Sequence, residues 1–244
     1  MVVEDLVPSS VVETLISAVD EIEQRGDRKD ISLSWTEDMI TTMMNVPARE
    51  GALGRYIRYR PVLELAEKLV GGPARVTGGL LLDKNWENNF DIGWHHDSGE
   101  FVAAIPPGEP EDIRNGMPVL RTHGLELAQN VTVRLALEPS TAETGGLYLL
   151  PGSHKKNLGK GDPVVEMFKH LEGELAHQPA GSVLFYRPLT LHRSEKRTRP
   201  GRRRILHIKY GPVDLQLPGA EPYPWPHPCP LTPVDSLVEP DGDD

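Results

Sequence analysis

The chain has 244 residues and a formal net charge of −10, with 23 Gly, 23 Pro and a single Cys, Cys229. This length suits one domain with a full hydrophobic core, and one Cys excludes both an internal disulfide and a Cys-rich zinc site, as expected in a reducing, cytoplasmic compartment. The acidic balance argues against a nucleic-acid partner, because phosphate binding needs positive surface, and the Gly and Pro surplus points to a turn-rich, β-dominated fold.

The first residues, Met1 to Asp5, carry neither the basic nor the apolar region of a signal peptide. No run of about 18 apolar residues appears, so no membrane association is expected. Residues 10–23 read as an amphipathic helix: Ser10 and Glu13 form a capping-box pattern, and Val12, Leu15, Ile16, Val19 and Ile22 share one face. The stretch from Gly26 to Tyr59 is mixed. A second helix is marked at 61–70, with Pro61 in its first turn, Leu63, Leu65, Ala66 and Leu69 on its apolar side, and Gly71-Gly72 as its stop.

From Arg75 the pattern changes to strands, expected at 75–84, 93–97, 131–137, 146–150, 182–187 and 203–210. Residues 98–130 read as one long irregular segment around Pro106 and Pro107, and such loops are usually functional or disordered. After Tyr210 the chain turns Pro-rich, and residues 239–244 are expected to fray. Helices followed by strands favour a sheet sandwich or barrel with helices on one face. The expected organisation is a single domain over 1–244, with a helical part at about 1–72, a β core at about 73–212 and a tail at about 213–244.

The densest chemical signal is Gly93-Trp94-His95-His96-Asp97-Ser98-Gly99. On an extended strand His95 and Asp97 project to one side and His96 to the other. A neighbouring imidazole and carboxylate supply two-thirds of a His₂-carboxylate triad, which holds iron(II) on one face and leaves three positions open. His192, beyond the apolar run Ser182 to Tyr186, is the best candidate for the third ligand. Eleven residues further on, Arg203 opens an alternating strand, sharing a face with Ile205 and His207. A buried guanidinium there would grip a carboxylate bidentately. The register is open by one residue, so Arg202 or Arg204 could hold that role instead. The remaining Lys and Arg of 196–204 read as a solvated basic turn.

This order of motifs resembles the phytanoyl-CoA dioxygenase family of Fe(II)/2-oxoglutarate oxygenases. The resemblance rests on Leu80 to Lys84, Asn89 to Asp97, Thr144-Gly145-Gly146-Leu147, Pro151-Gly152-Ser153-His154-Lys155, His192-Arg193-Ser194 and Arg203 to Tyr210, together residues 80–210. It implies a double-stranded β-helix core, the jelly-roll or cupin-like barrel, with flanking helices. It implies iron ligands His95, Asp97 and His192, with Arg203 and Ser194 on the 2-oxoglutarate carboxylate and Arg134 and His96 beside that cosubstrate. His96 stands where relatives often carry Gln, and Arg197 where they often carry Asn. His154 looks like part of a structural turn. Relatives that halogenate replace the carboxylate by Gly or Ala, so Asp97 argues against halogenation. The reaction implied is O₂-driven decarboxylation of 2-oxoglutarate to succinate and CO₂, coupled to oxidation of an unactivated C–H bond.

Substrate contacts are expected from residues 30–59 and 98–130, with Trp35, Met43, Met44 and Phe101 as wall residues. No cluster of Arg or Lys near these segments resembles a coenzyme A phosphate site, so an acyl-CoA substrate is not expected. By resemblance, the motif set looks like that of a tailoring oxygenase acting on a small secondary metabolite. The expected assembly is a monomer or homodimer. The competing reading from another class is a non-catalytic, cupin-like small-molecule binding protein, which the presence of all three ligand residues disfavours.

Overall fold

The computed structural model describes residues 1–122, 125–156 and 170–238. Among these residues three α-helices form: α1 (Ser9–Arg25), α2 (Gly51–Tyr56) and α3 (Arg60–Val70). The strands are β1 (Val2–Val3), β2 (Leu33–Thr36), β3 (Met39–Met43), β4 (Ala74–Asn85), β5 (Ile92–His95), β6 (Gly99–Phe101) and β7 (Ile113–Arg114). They continue as β8 (Met117–Arg121), β9 (Val131–Ala136), β10 (Leu147–Leu149), β11 (Glu174–Ala176), β12 (Val183–Tyr186), β13 (His192–Ser194) and β14 (Arg202–Pro212). No helix of the described residues is long and apolar enough to cross a membrane.

Helix α1 buries Val12, Leu15, Val19 and Ile22, the face its spacing predicts, each side chain worth about 1.5–3 kcal/mol of transfer free energy. Its expected capping box does not form. The N-cap is Pro8 and no side chain caps the helix, because it starts at Ser9, which places Ser10 inside the first turn. Helix α3 starts one residue before Pro61 and ends at Gly71, whose φ of 98° closes it in the left-handed conformation.

A seven-stranded sheet in the order β1-β12-β9-β14-β4-β3-β2 faces a four-stranded sheet in the order β11-β10-β13-β5, every pairing antiparallel. This is the double-stranded β-helix architecture, mainly β with helices on one side. Period-2 alternation divides the large sheet between two jobs. Val131, Val133 and Leu135 of β9 and Leu206, Ile208 and Tyr210 of β14 pack into the main core with Leu15, Val19, Leu63 and Ala66 from the helices. The opposite face carries Arg134, Arg203, His207 and Lys209, which line a cavity between the sheets.

Two expectations are corrected. The N-terminal part is not helical throughout, because β2 and β3 join the edge of the large sheet through Thr42 and Met43 against Leu82 and Leu81. The segment 98–130 is not one irregular loop, since β6, β8 and β7 form a three-stranded sheet within it. The Pro-rich tail packs Trp225, Leu231 and Leu237 into the main core. The expected fraying of residues 239–244 lies outside the described residues.

Candidate metal and cosubstrate site

Strand β5 ends at His95, whose Cα partner across the small sheet is His192 of β13. The two imidazoles therefore stand side by side, with ring centroids 4.1 Å apart. Just past the end of β5, the Asp97 amide donates to the Pro188 carbonyl at 2.9 Å, which anchors the turn that brings the carboxylate back to both histidines. One ligand atom from each of His95, Asp97 and His192 lies within 4.8 Å of the others. The strand alternation stops at His95, so His96 also lines the cavity instead of facing away.

Both histidines have Nδ1 against a backbone carbonyl. His95 Nδ1 lies 2.8 Å from the Gly93 carbonyl, and His192 Nδ1 lies 2.8 Å from the Thr190 carbonyl. A carbonyl only accepts, so both rings carry their proton on Nδ1 and turn the Nε2 lone pair to the triad. Burial, opposed by Asp97, lowers His192 to about 4, which keeps it neutral at physiological pH. Burial works against ionisation of Asp97, but His192, His207, Lys209 and His95 outweigh it and hold the carboxyl below its usual range. Asp97 Oδ2 is buried and accepts no hydrogen bond. An unsatisfied buried carboxylate oxygen beside two Nε2 lone pairs is the donor set of a divalent metal such as iron(II).

Beyond the triad lies a second charge anomaly. Arg203 is 3% exposed, its Nε has no partner, and among the described residues no carboxylate lies within ion-pair distance of it. Its neighbours Arg202 and Arg204 face the other side and are saturated: Arg202 by Glu23 at 2.7 Å and Asp83 at 2.6 Å, Arg204 by Glu138 at 2.5 Å and Asp20 at 2.6 Å. Of the three, Arg203 alone lines the cavity.

Arg134 is also buried, and Gln178 and Ser140, both neutral, hold its guanidinium. Lys84, opposite Arg203 across β4 and β14, is fully buried and donates to Ser194 Oγ at 3.1 Å and to the Glu195 carbonyl at 2.5 Å. Its ammonium lies 5.0 Å from the Phe90 ring centroid. Burial, then Arg203 and Arg134, lower Lys84 to about 7. Burial and Arg134 lower Arg203 to about 9, and burial lowers Arg134 to about 10, so both guanidiniums stay charged.

Gly145 makes room for this cluster. It sits at φ 75°, and a Cβ there would lie 2.6 Å from the Glu195 carbonyl oxygen and 2.8 Å from Lys84 Cδ. Arg197 staples the loop ahead of β14, with Nη1 donating to the Lys84 carbonyl at 2.8 Å and its backbone bonded to Asn89.

The cavity of about 380 Å³ brings together His95, His96, Asp97, Arg134, His192, Ser194 and Arg203, along with Met44 and Phe101. It does not include Trp35 or Met43. Met43 is wholly buried in the main core, and Trp35 lies under the Arg28 guanidinium at 4.3 Å. The β7–β8 hairpin adds Arg114 and Arg121 at the cavity, and both face Asp112, which is 2.7 Å from Arg121 and 3.8 Å from Arg114. His154 lines a different cavity, beside Pro151 and Phe185.

Lys84 and Tyr186 escaped the sequence reading, although Lys84 shares its strand face with Leu80 and Leu82 and so could have been found by alternation.

The phytanoyl-CoA dioxygenase (PhyH) family profile matches residues 1–205. The chain belongs to that family. PhyH proteins are iron(II)- and 2-oxoglutarate-dependent dioxygenases, which also use O₂. No curated protein sequence matches the chain.

Solved structures share the fold at low identity. EctD from S. alaskensis, solved with bound Fe, superposes with a TM-score of 0.71 at 16% identity, covering 98% of this chain and 84% of EctD. SnoK, a non-heme alpha-ketoglutarate-dependent carbocyclase from nogalamycin biosynthesis, gives 0.63 at 18%, covering 92% and 88%. HygX from Streptomyces hygroscopicus, solved with nickel and 2-oxoglutarate, gives 0.58 at 16%, covering 88% and 82%.

Proposed function

We propose that this PhyH protein oxidises a C–H bond of a small molecule, as a tailoring step on a secondary metabolite. Each turnover converts 2-oxoglutarate, O₂ and R–H into succinate, CO₂ and, for hydroxylation, R–OH. In this reading His95, Asp97 and His192 hold iron(II), and Arg203 receives the distal carboxylate of 2-oxoglutarate. The iron, when bound, supplies the chelation of the 2-oxo acid and the activation of O₂.

The observation that carries the reading is the group of three buried basic side chains, Arg203, Arg134 and Lys84, with no carboxylate in an ion pair with any of them among the described residues, beside a His/Asp/His set. Uncompensated buried charge is costly, so such a cluster is built for an anion. Lys84 donates to Ser194 Oγ, which frees the Ser194 hydroxyl proton for the incoming carboxylate. His96 and Arg134 border the cosubstrate.

The substrate then enters past Met44, Phe101 and Val119, with Arg114 and Arg121 beside them. A cavity of about 380 Å³ that also takes 2-oxoglutarate leaves little room for a coenzyme A ester. The likeness to EctD, solved with 2-oxoglutarate and 5-hydroxyectoine, and to SnoK and the epimerase SnoN of nogalamycin biosynthesis supports a small metabolite. Uncoupled turnover tests the chemistry before the substrate is known. Iron-loaded protein should form succinate slowly from 2-oxoglutarate in air, and His192→Ala should abolish it. No succinate from the wild-type protein, or the same amount from the variant, rejects the reading.

A further inference from the structure

A fourth histidine faces the triad and is not one of its ligands. Strand β14 places His207 on the cavity face, four residues after Arg203, with its Cα opposite Arg134 of β9. His207 Nε2 lies 3.5 Å from Asp97 Oδ2, the buried oxygen that accepts no hydrogen bond, while His192 Nε2 lies 3.9 Å from the same atom. The His207 ring meets Tyr186 edge-on, with centroids 6.3 Å apart and planes at 88°.

The three histidines differ in what each nitrogen faces. His95 and His192 have Nδ1 on a carbonyl and an Nε2 lone pair turned to the triad. His207 instead turns Nε2 to a carboxylate. An ionised carboxylate only accepts, so it selects the Nε2–H tautomer of a neutral ring, and a protonated Nε2 has no lone pair for a metal.

We propose that His207 is a positioning residue whose Nε2–H, 3.5 Å from Asp97 Oδ2, closes to a hydrogen bond on that oxygen and fixes the rotation of the carboxylate. This rests on the proposed metal site. A carboxylate free to rotate can take a metal with one oxygen or with both. With Oδ2 held by His207, Asp97 would meet a metal through one oxygen rather than two. Partners of this kind set ligand orientation, and their loss typically costs 10–100-fold in metal affinity.

The test uses full-length protein loaded without oxygen. With Zn(II) bound, long-range ¹⁵N–¹H correlation of the imidazoles should show the Nδ1–H tautomer for His95 and His192 and the Nε2–H tautomer for His207. With Co(II), His207→Leu should weaken metal binding about 10–100-fold and alter the visible Co(II) spectrum, and His207→Gln, whose amide can still donate, should restore most of both. The Zn(II) spectrum needs no substitution, so a misfolded variant leaves the test intact.

A metal-bound Nε2 on His207, or Co(II) affinity and spectrum unchanged in His207→Leu, overturns the positioning role while the metal site stands. Failure of wild-type protein to bind Zn(II) or Co(II), with His95→Ala making no difference, rejects the metal site and the role together.

Discussion

Removing the Arg203 guanidinium should weaken cosubstrate binding without destabilising the empty protein. Arg203 is 3% exposed and has no ion pair among the described residues; Arg134 lines the same cavity, and Lys84 lies opposite Arg203 across β4 and β14. In Arg203→Met the alkyl stem keeps its packing and the charge disappears. Breaking a buried ion pair from one side costs about 3–5 kcal/mol. Lys84 and Arg134 remain and soften the loss, so about 3–4 kcal/mol is expected, or roughly 100- to 1,000-fold in the dissociation constant of 2-oxoglutarate. The ligand-free variant loses an uncompensated buried charge and its repulsion with two others, so its melting temperature should hold or rise. Anaerobic calorimetric titration of Fe(II)-loaded protein measures the affinity, and melts without ligand measure stability. As a control, 2-oxobutyrate lacks the distal carboxylate and should bind both proteins equally. A variant that melts lower yet binds 2-oxoglutarate normally would show that Arg203 is structural and not a cosubstrate contact.

The neighbouring arginine should behave in the opposite way. Arg204→Met breaks pairs to Glu138 and Asp20, and because both acids are partly exposed the cost should be about 1–3 kcal/mol in denaturant melts, with 2-oxoglutarate affinity unchanged. Lys84 titrates near 7 in the fold and near 10.4 unfolded. The unfolded chain therefore holds more protons between those values, so the Lys84 contribution makes empty-protein stability rise with pH from 7 to 9, while 2-oxoglutarate affinity falls. Lys84→Met should flatten both slopes, and unchanged slopes would rule out Lys84 as the titrating group. Gly145→Ala forces a Cβ into the Glu195 carbonyl and Lys84 at a left-handed φ. It should cost at least about 2 kcal/mol of stability and weaken 2-oxoglutarate binding at the same time, against loss of neither if the turn simply shifts.

The parts legible in the sequence were those with strong local periodicity. The alternation of β9 and β14, the apolar stripe of α1 and the stop at Gly71 all follow from side-chain spacing and backbone freedom. The same alternation narrows the open choice among Arg202, Arg203 and Arg204, once β14 is seen to bury Leu206, Ile208 and Tyr210 against the helices. Three kinds of feature were not legible. Strands β2 and β3, rich in Thr and Met, take their form from pairing with β4, which is a distant contact. The β6–β8–β7 sheet hides in a segment whose Pro and Gly read as loop, although Asn115 and Gly116, both at positive φ, turn β7 into β8. The role of Lys84 depends on meeting Ser194, which lies 110 residues away in the chain.

The central claim is that His95, Asp97 and His192 hold iron(II) beside a pocket for 2-oxoglutarate. The most direct test is anaerobic addition of Fe(II) and then 2-oxoglutarate to the folded protein, followed by visible absorption. A charge-transfer band should appear only with both components, be lost in His95→Ala and His192→Ala, and need far more 2-oxoglutarate in Arg203→Met. Folded wild-type protein that binds Fe(II) and 2-oxoglutarate without producing the band, or that binds neither, would contradict the central claim.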